Sequence, residues 1–404
     1  MFDLVLFGAT GFTGRLVAEY LRNKAEPGVS WAIAGRSRDK LEALRRELSL
    51  DVPVLVGDVE DRASLTAIVE QTRVVCTTVG PYARYGAPLV AACAARGIDY
   101  CDLTGEPHFI RRMIDGHHDQ AAKTGARIVH CCGFDSIPSD LGVHALQSYA
   151  RRVHGEYCES IVLSLQGARG GASGGTLASM LEIAEAARRD PEVRAVLLDP
   201  YALNPPGERS GPDRDPRGLI WDTRVDAWTA PFFMGPINTR IVRRSNALAG
   251  HPYGRDFHYT ELTRLPRGAV GVLAGTAMLA GLGAFLGAAS FGPSRALLEA
   301  VLPASGEGPS EHVRKTGYFR FALHGEGRDR RGMAYRVRGT VLGRGDPGYG
   351  ATATMVSEAA LCLARDPRRT GGGVLTPAYA MGDALTRRLR MAGMAFETYT
   401  DARV

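Results

Sequence analysis

The sequence predicts an α/β protein: a doubly wound parallel sheet over residues 1–148, a second α+β domain over residues 149–375, and a C-terminal helix over 376–404 placed to pack back on the first sheet. Three observations carry this. Short apolar runs alternate with helical stretches of about ten residues through the first third of the chain, the rhythm of a parallel sheet with crossover helices. A glycine-rich turn stands between the first apolar run and the first helix. Beyond Ser148 the alternation stops, and two long alternating strand patterns appear later in the chain. At 404 residues the chain also exceeds one ordinary domain.

Taken in order, Leu4-Val5-Leu6-Phe7 is a buried first strand, and Gly8-Ala9-Thr10-Gly11-Phe12-Thr13-Gly14 turns it into a helix from Phe12 to Asn23. This is the Rossmann arrangement for a dinucleotide. The glycines permit a tight turn and close backbone approach, and free N–H groups at the helix start face the pyrophosphate. The spacing is that of many NADP-using reductases of the extended Rossmann type. Trp31 to Ala34 is the second strand and Asp39 to Leu48 its helix. Val52 to Val56 and Ala63 to Glu70 follow, then Arg73 to Thr78 and Pro88 to Arg96. Asp99 to Asp102 and Arg127 to Cys131 make the fifth and sixth strands, with a helix through Met113 to Lys123 between them.

The end of the second strand selects the nicotinamide. An NAD enzyme places Asp or Glu there for the ribose 2′-hydroxyl; this chain has Gly35-Arg36-Ser37-Arg38. Two guanidiniums and a hydroxyl suit a 2′-phosphate, so NADPH is the expected cofactor. Ser37 also has the character of a helix cap. In a doubly wound sheet the ligand lies at the carboxyl ends of the strands, which brings three further loops into play. Asp58 is placed either to meet the adenine edge or to cap the next helix. Val79-Gly80-Pro81 runs past the nicotinamide ribose, and Asp135 stands in the loop after the sixth strand.

In the second part, Ser160 to Gln166 reads as a strand. The loop Gly170-Gly171-Ala172-Ser173-Gly174-Gly175-Thr176 opens a helix from Leu177 to Arg188. Its backbone N–H groups suit a substrate carbonyl or the outer face of the cofactor, and a hinge between domains has the same composition. Residues 200–218 read as an irregular surface loop. Gly317 to Glu326 and Met333 to Leu342 form an antiparallel pair. Tyr349 to Ala364 and Ala378 to Met391 are closing helices.

The stretch Ala269 to Ser294 carries no charge and is bracketed by Arg264, Arg267 and Arg295. Its length could cross a bilayer, but it is mostly Ala and Gly, which gain little in lipid. A buried helical hairpin or subunit contact, an interfacial patch that reaches a lipid-like substrate, and a spanning helix are the three readings.

Composition excludes several classes. A net charge of +6, almost wholly arginine with four lysines, forms no dense basic patch with interleaved aromatics, against nucleic-acid binding. Seven cysteines include no C-x-x-C pair, which suits reduced thiols of a cytoplasmic protein rather than a disulfide scaffold or a zinc site. No metal is expected. The sequence opens on its first strand, so no signal peptide is expected.

Several motifs occur in order: Gly8 to Gly14, Ala34-Gly35-Arg36, Val79-Gly80-Pro81-Tyr82, Tyr100-Cys101-Asp102-Leu103-Thr104-Gly105-Glu106, Gly133-Phe134-Asp135-Ser136-Ile137-Pro138-Ser139-Asp140, Gly171 to Thr176 and Leu375-Thr376-Pro377-Ala378. With these, essentially the whole chain resembles the saccharopine-dehydrogenase-like oxidoreductases, closest to their trans-acting enoyl reductase branch. The resemblance implies NADPH reduction of a carbon–carbon double bond on a lipid or polyketide-derived chain, in an enzyme often associated with membranes. Asp135-Ser136-Ile137 replaces the Asp-Pro-Gly usual in saccharopine-forming enzymes. Hydride addition to an activated alkene leaves an enolate that needs a proton. Tyr82, Tyr85 and Asp135 are the candidate donors. Ser173, Gly174, Gly175 and Thr176 are the candidate substrate contacts. Tyr20 and Lys24 have the spacing of a short-chain dehydrogenase pair, but their helix lies behind the sheet. An imine or ketone reductase, or a non-catalytic NADP-binding membrane protein, would share the cofactor half. The reading also includes peripheral contact with the inner face of the membrane and a homodimer.

Overall fold

The computed structural model describes residues 1–170, 174–290, 294, 295, 298 and 308–401. The first half of the chain builds β1 (Phe2–Phe7), α1 (Phe12–Lys24), β2 (Trp31–Gly35), α2 (Arg38–Glu47), β3 (Val54–Val56), α3 (Arg62–Val69) and β4 (Thr72–Thr77). A short α4 (Tyr82–Tyr85), α5 (Ala87–Arg96), β5 (Asp99–Cys101), α6 (Pro107–Thr124), β6 (Arg127–Val129) and α7 (Ile137–His154) follow. Leu4, Val5 and Leu6 are wholly buried, as a continuous apolar run must be when helices cover both sheet faces. Gly97, Gly125 and Gly155 end α5, α6 and α7 in the left-handed conformation that glycine adopts without strain.

The second half contributes β7 (Ser160–Arg169), α8 (Gly174–Arg189), α9 (Pro191–Leu198), β8 (Ile220–Asp222), β9 (Ala227–Pro231), α10 (Gly235–Leu248), β10 (His258–Arg264) and α11 (Gly268–Ser290). The chain closes with α12 (Glu311–Thr316), β11 (Tyr318–Arg328), β12 (Ala334–Arg344), α13 (Gly350–Arg365), β13 (Gly373–Leu375), α14 (Pro377–Ala380), α15 (Gly382–Met391) and β14 (Ala395–Thr400).

Two seven-stranded sheets result. The first runs β13-β6-β5-β4-β1-β2-β3 and is parallel throughout. The order reverses between β1 and β4, so the crevice a nucleotide uses opens between Gly8 and Thr78. The second runs β14-β12-β11-β7-β10-β9-β8 and is mixed, with β7 and β10 parallel and the other pairs antiparallel. Residues 350–375, read from sequence with the second unit, cross back: α13 lies against β1, β4 and β5, and β13 extends the edge of the first sheet. The final stretch is not helix alone, because β14 pairs with β12 in the second sheet.

Residues 200–218 are irregular but not merely a surface loop. Tyr201 to Asn204 are buried, and arginines from α6 and α10 hold their carbonyls. Arg111 donates to Ala202 O and Asn204 O, Arg243 to Pro200 O, and Arg244 to Leu203 O and Val374 O. Satisfying carbonyls this way lets a segment without secondary structure enter the core. Arg244 has no carboxylate partner among the described residues, and burial drives its guanidinium down to about 9.

Through Ser290 the uncharged stretch is one helix, α11, long and apolar enough by composition to span a membrane yet mostly exposed in the fold; residues 291–293 lie outside the described residues. It is no buried hairpin. Gly271 and Gly275 seat its first turns: a Cβ at 271 would lie 1.8 Å from Pro266 O, and one at 275 would lie 2.3 Å from Leu219 Cδ1. Gly281, Gly283 and Gly287 face open space. Val270 and Leu273 are 66% and 72% exposed. Of the bracketing arginines, Arg295 turns back to pair with Glu182 and Glu185 of α8, and Arg267 pairs with Asp226.

Candidate active site: one cleft from the glycine turn to an apolar wall

The switch-point crevice is the upper end of a cleft of about 1200 Å³ that continues between the two sheets. At the upper end, Thr10, Gly11, Phe12 and Thr13 line it together with Arg36. Each glycine has its own reason. Gly8 sits at φ +88°, where a Cβ would be 2.5 Å from Val79 Cγ2. At Gly14 a Cβ would be 2.2 Å from Gly8 O, so α1 packs on the turn at a distance that only glycine allows. At Gly11 a Cβ would meet only Gly8 O, at 3.5 Å; the space beyond is free for a ligand. This cradle fits a pyrophosphate at a helix N-terminus.

Arg36 is exposed at the cleft lip, and Lys40, one turn into α2, joins it there. Lys40 escaped the sequence reading, although a cation in the first turn of the helix that follows Arg36 is the signal that would have found it. Ser37 caps α2 by accepting a hydrogen bond from Lys40 N at 3.4 Å. Arg38 begins α2 and Asp58 accepts from Glu60 N; neither lines the cleft. Asp61, not Asp58, caps α3. Gly80 and Pro81 line the cleft, while Val79 packs behind them against Gly8.

The candidate proton donors separate. Tyr85 faces a different groove with Arg62 and Pro88, and Arg84 lies over its ring. Tyr82 borders the cleft but is buried, and its hydroxyl donates to Thr77 O at 3.1 Å and accepts from Leu103 N at 3.2 Å. Its proton is committed to the backbone. Asp135 lines the cleft, and burial, with Asp102 and Glu106 nearby, raises its carboxyl to about 7. Gly105 and Gly133 flank it: a Cβ at either would stand in ordinary contact with one of its carboxyl oxygens, at 3.4 Å. Tyr20 lies away from the cleft, donating to Glu358 on α13.

A buried network fixes the loop that carries Asp135. Asp102 Oδ1 accepts from Thr104 N and Cys131 N, and Asp102 O accepts from Cys132 N. Asp102 Oδ2 accepts from Tyr100 at 2.9 Å and lies 2.7 Å from His130 Nδ1. A carboxylate only accepts, so the imidazole donates through Nδ1. One side chain thereby ties the loops after β5 and β6 together.

On the opposite side, α8 lines the cleft for most of its length. Gly175 and Thr176 reach it, and Gly174 N donates to Tyr349, whose ring stands edge-on to Phe12 at 4.6 Å. Ser173, with Gly171 and Ala172, lies outside the described residues. Beyond Ser179 the lining becomes largely apolar, with Ile183, Ala184, Leu197, Phe233, Leu282 and Leu286, although Arg188 also borders it. Sequence reading missed this wall because its residues come from α8, α9, α11 and the turn before α10. The seven cysteines are buried free thiols.

The comparisons with known proteins agree with this geometry. Residues 4–129 match the family model described as the saccharopine dehydrogenase NADP binding domain. A Mycobacterium tuberculosis protein named putative trans-acting enoyl reductase is 44% identical, with 98% of this chain and 97% of that one covered. The trans-acting enoyl reductase of Mycobacterium ulcerans is 42% identical, covering 97% and 96%. Apo saccharopine dehydrogenase (L-Glu forming) from Saccharomyces cerevisiae shares the fold, at 15% identity and a TM-score of 0.55 over 99% of both chains. The chain belongs to the saccharopine-dehydrogenase-like family, in its trans-acting enoyl reductase branch, and is an NADP-dependent oxidoreductase that uses NADPH.

Proposed function

We propose that the enzyme is an enoyl reductase that acts in trans on a lipid or polyketide-derived chain. The observation that carries this reading is the continuity of the cleft, from the glycine turn and Arg36, past Asp135, to the apolar wall formed by α8, α9 and α11. Bound NADPH would supply hydride to the β-carbon of the activated alkene. The chain's own residues do the rest. Gly11 and the start of α1 receive the pyrophosphate, and Arg36 with Lys40 receive the 2′-phosphate. Asp135, protonated near neutral pH, gives its proton to the carbon that becomes electron-rich after hydride arrives. Gly175 and Thr176 stand at the start of α8, where backbone N–H groups favour an enolate oxygen. The apolar wall excludes water and accepts the chain.

The exposed face of α11 supports a further part of the reading. Leu282 and Leu286 line the cleft while Val270 and Leu273 face solvent. One helix thus borders both the substrate cleft and the outside, as suits an enzyme resting on the inner face of a membrane to collect an apolar substrate. We place the protein in the cytoplasm on this reading, with peripheral membrane contact and as a homodimer.

The deciding experiment measures NADPH oxidation with enoyl, keto and imino substrates of matched chain length. Turnover confined to enoyl substrates, rising with chain length, is the expected result. Preference for an imine or ketone would move the enzyme to saccharopine-type chemistry. NADPH binding without turnover on any of them would leave a non-catalytic binding protein.

A further inference from the structure

Glu106 is wholly buried at the start of α6, with no lysine or arginine partner among the described residues. Its carboxylate accepts three hydrogen bonds from two sides of the cleft. Tyr82 N donates at 3.0 Å and Ala83 N at 2.8 Å, both just after the Gly80-Pro81 turn. Ser179 Oγ donates at 2.9 Å from α8. A buried carboxylate without a cation is costly, and these bonds offset only part of that cost. Burial accordingly pushes the Glu106 carboxyl up. Capping α4 alone explains the two backbone bonds. It does not explain the third.

The helix on the far side of that third bond packs mainly on α9 and α11 rather than on the first sheet. Among the described residues, two of its hydrogen bonds reach toward the cofactor crevice: Gly174 to Tyr349, which touches Phe12 at the glycine turn, and Ser179 to Glu106, which holds the turn after β4. Those two turns are the lips of the switch-point crevice. We propose that Glu106 is a positioning residue that couples the cofactor-side turn to α8 through Ser179, so that cofactor occupancy sets the substrate wall. The proposal rests on reading the cleft as the joint site of cofactor and substrate. Ordering Tyr82 and Ala83 orients the carboxylate, the carboxylate orders Ser179, and the face of α8 carrying Ile183 and Ala184 follows. Linkage requires the converse as well: a chain bound against α8 tightens the cofactor.

The test uses the full chain and hydrogen exchange, which needs no turnover. Saturating NADPH should slow exchange of the α8 amides in the wild type by about fivefold or more, the usual lower range of a coupling between sites. In Ser179→Ala the turn at residues 80–83 should keep its protection while the α8 amides around residue 179 lose the response and those near Gly174, held through Tyr349, keep it, and Ser179→Thr should restore it. In turnover assays Ser179→Ala should raise KM about fivefold for a long-chain substrate, with Kd for NADPH within about twofold of wild type. An α8 that ignores NADPH in the wild type, or that responds equally in Ser179→Ala, overturns the proposal. Turnover on imines rather than enoyl chains would overturn the reading of the reaction and leave the exchange result standing.

Discussion

Gly11 and Gly14 lie three residues apart in one turn, and their substitution should fail for opposite reasons. At Gly14 a methyl group would sit 2.2 Å from Gly8 O and 2.9 Å from Ala9 Cα. To restore a contact of about 3.2 Å, α1 must lift about 1 Å from the turn, in an interior packed tightly enough to resist it. Overpacking of this kind costs about 1–3 kcal/mol. In a protein of 404 residues that is a fall in Tm of about 1–4 °C. Gly11 is different. Its backbone is extended, at φ −73° and ψ 163°, which valine adopts freely, and its Cβ would meet only Gly8 O at 3.5 Å. Gly11→Val should therefore melt within about 1 °C of wild type, as a surface substitution does. The valine would instead fill the space the pyrophosphate needs. Losing two hydrogen bonds to a charged group costs about 3 kcal/mol or more, so Kd for NADPH should rise at least about 100-fold. Differential scanning fluorimetry and NADPH fluorescence titration on Gly14→Ala and Gly11→Val measure both. If Gly11→Val binds NADPH within about threefold of wild type, the surface around Gly11 is not the pyrophosphate site, and the assignment of the upper cleft fails.

Other expectations follow from the same cleft. Arg36→Ala removes a charge-assisted contact worth about 1.5–3 kcal/mol, so titration should show NADPH weakened roughly 10- to 100-fold and NADH unchanged; equal affinity of the wild type for both nicotinamides would refute the role of Arg36. Asp135 acts as an acid only while protonated, and its carboxyl sits at about 7, so kcat should fall as pH rises through about 7. Asp135→Asn should lose that limb together with about 10²-fold or more of turnover, whereas Tyr82→Phe, which strands Leu103 N, should lower Tm and keep the limb. Glu261, buried with Asn238 and Tyr259, is raised from 4.5 to about 7, so the folded chain holds a proton that the unfolded chain releases. Stability should drain away as pH rises from about 4.5 to 7, by about 3 kcal/mol in all. Denaturant unfolding should accordingly show Glu261→Gln gaining on wild type across that window, and a constant difference would contradict the shift. Finally, the protein should pellet with anionic liposomes at low salt, and Val270→Gln with Leu273→Gln should release it; indifference to liposomes would leave α11 as a protein contact.

The chemistry of the cofactor half was legible in the sequence because it is local. A glycine turn between strand and helix, and the cation that follows the next strand, are each specified within a few consecutive residues. Phe2–Phe7, Trp31–Gly35 and the helices after them form where the apolar rhythm puts them. The same local rules found β11 and β12, whose alternation extends over eleven residues each. They did not find β8, β13 or β14, which are short or exposed and exist because a partner strand supplies the hydrogen bonds.

The site beyond the cofactor was decided by the tertiary structure. Tyr82, Tyr85 and Asp135 look equally able to give a proton as residue types. What separates them is where the backbone sends each one: Tyr82 to the carbonyl of Thr77, Tyr85 to another groove, and Asp135 into the cleft with a raised carboxyl. Glu106 reads as one polar residue after a glycine, and becomes a clamp only because α6, the turn after β4 and α8 meet around it. The apolar stretch had three readings because composition measures how a segment partitions, not what packs on it. Gly271 and Gly275 seat it against Pro266 and Leu219, Leu282 and Leu286 turn to the cleft, and Val270 and Leu273 stay exposed. Burial, proton affinity and reach depend on neighbours distant in the chain, and that is the information a sequence read along its length does not contain.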